Sequence, residues 1–201
     1  MPPLKKRLEE SLGRVVNVRE DEIRALLLSF AYFFFLLCGY YILRPLREEM
    51  GLAGGVRNLP WLFTGTFIVM LAAVPVFGAA VSRFPRRRLV PAVYRFFAAN
   101  ILIFYFLFTL VDPGPGRVYL ARAFFIWVSV YNLFVVSVFW SFMADIFGSE
   151  QGKRLFGFIA AGATAGALLG PAISAALAVP LGPMNLLPIS AVFLELAVQC
   201  I

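Results

Sequence analysis

The chain has 201 residues, of which 61% are hydrophobic and 14% are charged, and its mean hydropathy is +0.85. Soluble domains are about half apolar and roughly a quarter charged, and a single core of this length could not bury so much apolar surface. The composition therefore argues against a soluble enzyme, a nucleic-acid-binding domain and a disordered chain. It indicates a protein that lies mostly in lipid.

The net charge of +7 is interpreted as membrane topology, because basic residues collect in cytoplasmic loops, and no nucleic-acid partner is expected. The chain contains no histidine, which removes histidine metal sites, Ser-His catalysis and histidine proton relays. Cys38 and Cys200 lie in apolar runs, far from any CxxC pattern. The sequence also offers no buried Asp pair and no Ser–Lys dyad. We therefore expect no enzyme activity, no metal and no bound cofactor.

Residues 1–24 form a charged leader with six basic and five acidic side chains. Leu4, Leu8 and Leu12 recur within it at helical spacing. This pattern is typical of an amphipathic helix on the cytoplasmic membrane surface. A solvated leader without that helix is an equally compatible interpretation.

Six apolar segments follow within residues 25–201, and each is close to the roughly 20 residues that a helix needs to cross a bilayer. Such segments must be helical, because lipid offers no hydrogen-bond partner to an open backbone. We therefore predict an all-α membrane protein with six transmembrane spans, at about 26–43, 59–81, 89–111, 118–142, 155–179 and 184–201.

The distribution of Lys and Arg favours a cytoplasmic N-terminus. With that orientation, twelve of these side chains lie inside and four lie outside, namely Arg44, Arg47, Arg57 and Arg117. The expected location is a plasma membrane, such as the bacterial inner membrane. No basic residue closes span 6 after Gln199, so we expect a chain that is truncated at the end of this span.

Span 5 carries a stripe of small residues. Gly162, Gly166 and Gly170 are spaced by four, which places them on one face of a helix and lets another helix approach closely. Pro171 follows and removes one backbone donor, which favours a bend. The stripe is compatible with plain helix packing or with a bend that seals or hinges a transport path.

The loop after span 2 carries a motif that resembles one of the major facilitator superfamily of transporters. The family has G-x-x-x-D-R-x-G-R-R at this junction, and this chain has Ser82 at the family's Asp and Pro85 at its second Gly. The matching residues are Gly78, Arg83, Arg86 and Arg87. The resemblance implies a gating role for this loop.

Two further segments extend the resemblance in the expected order. Gly166, Gly170 and Pro171 are similar to the family's G-x-x-x-G-P signature in span 5. Asp145, followed by Lys153 and Arg154, resembles the acidic-then-basic pair that flanks the loop between spans 4 and 5.

A narrower resemblance lies at the end of span 1. Residues 40–48 read YYILRPLRE, which is similar to the Y-x-I-L-R-x-x-K-D segment of nucleotide (ATP/ADP) exchange transporters, an offshoot of the same fold. Arg47 stands at that family's Lys, and Glu48 stands at its Asp.

These resemblances imply the N-terminal six-helix half of a transporter, built from two inverted three-span repeats. The substrate site of such a protein lies between two halves near the bilayer midplane, and spans 1 and 4 line the path. A C-terminal half or a second copy would then be needed to complete the cavity.

Ionisable and polar residues within the spans are the candidates for a substrate or ion pathway. Arg44 and Arg47 end span 1, where they could pair with phosphate or carboxylate or simply anchor the helix at the interface. Arg95 could face an anionic substrate or extend its side chain back to the membrane surface. Asn132 lies near the middle of span 4, and Glu195 lies close to mid-membrane, as a proton carrier or the counter-ion of a cation.

We therefore expect secondary active transport, by alternating access, of a small anionic or phosphorylated solute. Nucleotide exchange is a narrower hypothesis. The alternative is a membrane scaffold or partner subunit that transports nothing.

Overall fold

The computed structural model describes residues 18–19, 22–53 and 55–201, except for the side chains of Arg86 and Arg87. The predicted leader over residues 1–24 lies almost entirely outside this part. The described residues form helices joined by short connections and contain no strand, which confirms the all-α class. The helices are α1 (Ile23–Leu52), α2 (Leu59–Arg83), α3 (Arg86–Leu110), α4 (Pro115–Ile146), α5 (Ser149–Leu181) and α6 (Leu186–Gln199).

Glycine and proline separate these helices. Gly55 and Gly182 have positive φ angles of 88° and 83°, which glycine adopts at no steric cost, and a short 3-10 turn follows each of them. Pro115 begins α4, where its missing N–H would have no partner in the helix. In contrast, α5 continues through Pro171, where the sequence predicts a bend.

Five of the described helices, α1 to α5, are long and apolar enough to cross a membrane. The sixth predicted span contains the apolar helix α6, which has 14 residues and measures about 21 Å at 1.5 Å per residue. The structure thus agrees with an integral, multi-pass membrane protein.

The helices alternate in direction, and contacting residue pairs show this. Along α1 and α5 the contacts run in parallel, from Phe30 with Gly162 to Ile42 with Ser174. Along α1 and α4 they run antiparallel, from Phe33 with Phe139 to Arg47 with Phe125. The remaining packed pairs follow the same rule. The pairs α1–α6, α3–α4 and α3–α6 are antiparallel, and the pair α2–α4 is parallel.

Among the five long helices, α1 and α4 are the most buried. A buried chain of hydroxyl groups joins three helices: Tyr32 on α1 donates to Tyr94 on α3, and Tyr94 donates to the carbonyl oxygen of Val135 on α4 at 3.1 Å. The outer faces are apolar instead of polar, as in Trp61 and Phe67 of α2. Lipid is the solvent that suits such a surface.

The small-residue stripe of α5 packs directly on the backbone of α1. A Cβ atom added at Gly162 would lie 2.5 Å from the carbonyl oxygen of Phe30, and one at Gly170 would lie 2.8 Å from that of Cys38. Gly166 meets the carbonyl oxygen of Phe34 in the same way. The glycines therefore act in helix packing, which is the first of the two interpretations that the sequence left open.

Candidate solute-binding cleft

An open cleft with a volume of about 560 Å³ lies between α1, α2 and α4. Its volume is in the range of small-molecule sites. Three of the five pathway candidates, Arg44, Arg47 and Asn132, lie on its walls. The other lining residues are Leu37, Tyr40, Tyr41, Thr66, Met70, Ser129 and Val136.

Arg47 is the most firmly held of the basic side chains in the cleft, with 13% of the side chain exposed. Its guanidinium carbon lies 3.9 Å from the centre of the Phe125 ring, and its Nε donates to Ser129 Oγ at 3.0 Å. Its Nη1 forms an ion pair with the more exposed Glu48. The aromatic face and the hydroxyl fix the plane of the guanidinium before any ligand binds.

Arg44 lies about one turn nearer the middle of α1 and is exposed. Its guanidinium carbon is 5.4 Å from the centre of the Tyr41 ring. The guanidiniums of Arg44 and Arg47 therefore both rest against aromatic rings along one wall of the cleft. Such forked donors suit the oxygens of a phosphate or carboxylate.

The opposite walls supply neutral polar groups. Thr66 is buried on α2 and donates its hydroxyl to the carbonyl oxygen of Leu62 at 2.8 Å, while Asn132 and Ser129 come from α4. Apolar side chains in the lining come from Leu37, Met70 and Val136. The cleft thus combines a cationic wall with hydroxyl, amide and apolar groups.

Arg95 and Glu195, the two remaining pathway candidates, do not line this cleft. They pair with each other on α3 and α6, where Arg95 Nη2 lies 3.1 Å from Glu195 Oε1. Glu195 therefore has the cationic partner that the sequence analysis named as one of its two options. Single ionisable groups in hydrocarbon cost roughly 2.5–3.5 kcal/mol each, and pairing lowers that cost.

The residues of the loop motif lie where α2 ends and α3 begins. Gly78 is exposed in α2 with open space around it, Arg83 is the last residue of α2, and Arg86 and Arg87 begin α3. Asp145 is exposed near the end of α4. A gating role for this loop stays a prediction.

Arg154 joins a charged cluster that the sequence analysis missed. Its Nη2 lies 3.1 Å from Oε1 of Glu22, a carboxylate whose side chain is only 4% exposed. Gln151 donates to the same oxygen at 2.8 Å and also accepts from the backbone N–H of Gly148, so it joins the start of α5 to Glu22. The partners are about 130 residues apart in the chain, so no local pattern marks them.

Hydrogen bonds set the ionisation of Glu22. The backbone N–H of Arg19 donates to its carboxylate, and this bond, together with those from Gln151 and Arg154, lowers the pKa of Glu22 below its ordinary value of 4.5. Burial opposes this shift but does not outweigh it. Glu22 therefore links the start of α1 to the start of α5 through an ion pair and a hydrogen bond.

Comparisons of this chain with protein-family models, with curated proteins and with solved structures find no match. The resemblance to major facilitator transporters rests on the motifs described above. The cleft is therefore interpreted from its own geometry, as a cationic pocket in a lipid-exposed helical bundle.

Proposed function

We propose that the protein is a secondary active transporter that moves a small anionic or phosphorylated solute by alternating access. The observation that carries this proposal is the cleft, in which Arg44 and Arg47 stand on one wall opposite Asn132 and Thr66. Two guanidiniums in one open cavity within a membrane-spanning bundle would attract an anion and hold it by forked hydrogen bonds. Substrates with a phosphate group fit this chemistry best.

The arrangement of helices supports the major facilitator architecture. The pair α1–α5 is parallel and its counterpart α4–α2 is parallel, while α1–α6 and α4–α3 are both antiparallel. The pattern of packed pairs is thus unchanged when helices 1–3 are exchanged with helices 4–6. An inverted three-helix repeat has this property.

The cleft is open on one side, and alternating access requires a second wall. We propose that a C-terminal half or a second copy supplies it. The lining by α1 and α4 agrees with the path that the family resemblance implies.

Nucleotide exchange is the narrower proposal. It rests on the likeness of residues 40–48 to nucleotide exchange transporters and on the place of Arg44 and Arg47 in the cleft. Tyr40 and Tyr41 add aromatic surface beside the two guanidiniums. A plasma membrane, such as the bacterial inner membrane, is the proposed location.

Uptake into membrane vesicles that contain the natural protein tests this proposal. Labelled ADP, labelled inorganic phosphate and a neutral sugar would be offered in parallel. We expect uptake of an anion but not of the sugar. We expect Arg44→Gln to reduce anion uptake by roughly tenfold or more, because a hydrogen bond to a charged group contributes about 1.5–3 kcal/mol.

Three further variants separate binding from folding. Arg47→Lys keeps the charge but loses the planar fork, so uptake should fall less than with Arg47→Gln. Arg57→Gln is the matched control, because Arg57 is exposed on the connection that follows α1 and does not line the cleft. Equal uptake by all variants would refute the role of the cleft. A folded protein that moves none of the solutes would favour the alternative, a scaffold or partner subunit.

A further inference from the structure

An exposed ion pair lies on the face that α3 and α6 form together. Arg95 Nη2 is 3.1 Å from Glu195 Oε1, and Arg95 Nε is 3.4 Å from Glu195 Oε2. Gln199 donates to Glu195 Oε1 at 3.0 Å. The side chains of Arg95 and Glu195 are 60% and 43% exposed.

The pair lies within the apolar span of α3. At the other end of α3, Tyr105 donates to Asn185 at 3.1 Å. Tyr105 follows Arg95 by ten residues and Asn185 precedes Glu195 by ten residues, so this hydrogen bond lies about 15 Å from the ion pair. Arg95 is seven residues, or about 10 Å, from Arg88, where the apolar span of α3 begins. Glu195 is four residues from the end of α6, so the pair lies within the apolar span of α3 and in the last turns of α6.

The surroundings of the pair are exposed and apolar. Ala92, Phe96 and Ala99 flank Arg95 on α3, and Val192 and Leu196 flank Glu195 on α6. If this face lay against lipid, the Arg95–Glu195 pair would find no further hydrogen-bond partner there. Charged groups in hydrocarbon are also energetically unfavourable. The position is therefore one where a protein surface fits better than lipid does.

We propose that the α3–α6 face is an interface between two copies of this chain, related by a two-fold axis. The face carries one cation and one anion side by side, so a two-fold rotation places Arg95 of one protomer opposite the partner's Glu195. Polar groups and small residues drive helix association in lipid, where apolar surface alone does not. Ala92 and Ala99 beside Arg95 allow the close approach that this needs.

This interface does not depend on the proposed transport. The cleft is lined by α1, α2 and α4, whereas the ion pair lies on α3 and α6. Two copies could therefore associate through the ion-pair face while each cleft stays open.

Charge reversal tests the proposal. Full-length protein, labelled in two colours, would be reconstituted in lipid bilayers, and energy transfer would be measured as the protein-to-lipid ratio falls. Arg95→Glu makes the face doubly negative, and Glu195→Arg makes it doubly positive. We expect each variant alone to associate about tenfold more weakly than the wild type, or worse. Mixing the two variants should restore association, because opposite charges then meet across the interface.

A charge-neutral variant and a control position on another helix distinguish a loss of association from misfolding. Arg95→Gln combined with Glu195→Gln removes the charges without creating repulsion, and it should associate more weakly than the wild type at an unchanged melting temperature. In a cross-linking measurement, a cysteine at Ala99 should capture a second copy, whereas one at Leu168, an exposed residue of α5, should not. The proposal is overturned if the wild type stays monomeric at high density, or if the mixture associates no better than each variant alone.

Discussion

At the scale of single residues, the surroundings of an arginine decide what it can do. Arg47 is stacked on Phe125 and bonded to Ser129, so its guanidinium is fixed in one plane on the cleft wall. Arg95 also lies within an apolar helix, but it pairs with Glu195 on a different face of the bundle. The sequence treats both as candidates for one pathway, and only their neighbours separate them.

Glu22 is the residue whose replacement should most directly weaken the end of the bundle where α1 begins. We expect Glu22→Gln to lower the free energy of unfolding by about 1–3 kcal/mol, because the charged hydrogen bonds to Arg154 and Gln151 are lost or weakened. Thermal melting in detergent micelles measures the change. Glu49→Gln, which alters an exposed carboxylate near the other end of α1, is the control and should leave the melting temperature unchanged.

The contribution of Glu22 should depend on pH in a defined direction. Its pKa is lowered in the folded protein, so the stabilisation is present above the ordinary pKa of 4.5 and is lost as pH falls through the lower folded value. The difference in melting temperature between wild type and Glu22→Gln should therefore be constant near neutrality and shrink below about pH 4.5. A difference that grows on acidification would contradict this assignment.

At the scale of helices, the contact between α1 and α5 is set by three glycines. Each of Gly162, Gly166 and Gly170 brings its own Cα against a carbonyl group of α1, four residues apart on both helices. The parallel direction and the matched spacing bring the two backbones together over about two turns. Ser174 continues the line and donates to the carbonyl oxygen of Ile42 at 3.2 Å.

We expect Gly166→Ala to destabilise the bundle by about 1–3 kcal/mol, because the new methyl group would collide with the backbone of α1 at Phe34. Gly157→Ala is the matched control on the same helix. No atom lies within 4 Å of a Cβ there, and alanine favours a helix over glycine by about 1 kcal/mol. In detergent micelles, the melting temperature should therefore fall for Gly166→Ala and rise for Gly157→Ala. Equal melting temperatures would show that the contact tolerates a methyl group.

At the scale of the whole molecule, the alternation of helix direction divides the connections between two sides. The start of α1 and the connections α2–α3 and α4–α5 lie at one end of the bundle, and the connections α1–α2, α3–α4 and α5–α6 lie at the other. A single membrane orientation therefore fixes the side of every connection. The count of Lys and Arg favours the first group inside.

Cysteine labelling tests that orientation. Single cysteines at Ser82 and Ser149 should be protected from a membrane-impermeant maleimide in intact cells, whereas cysteines at Gly116 and Met184 should react. Permeabilised cells should label all four, which controls for burial. The reverse pattern would place the N-terminus outside and would leave the fold unchanged.

The sequence alone determined the class of protein and the approximate place of its helices, because apolar runs of about 20 residues have no other stable form in lipid. It also marked Gly162, Gly166 and Gly170 as a packing face, since spacing by four is a local property of a helix. Tertiary structure alone decided which polar residues meet. Arg44, Arg47 and Asn132 converge across α1 and α4, Arg95 meets Glu195, and Arg154 meets Glu22, all through contacts between helices far apart in the chain that no local spacing encodes.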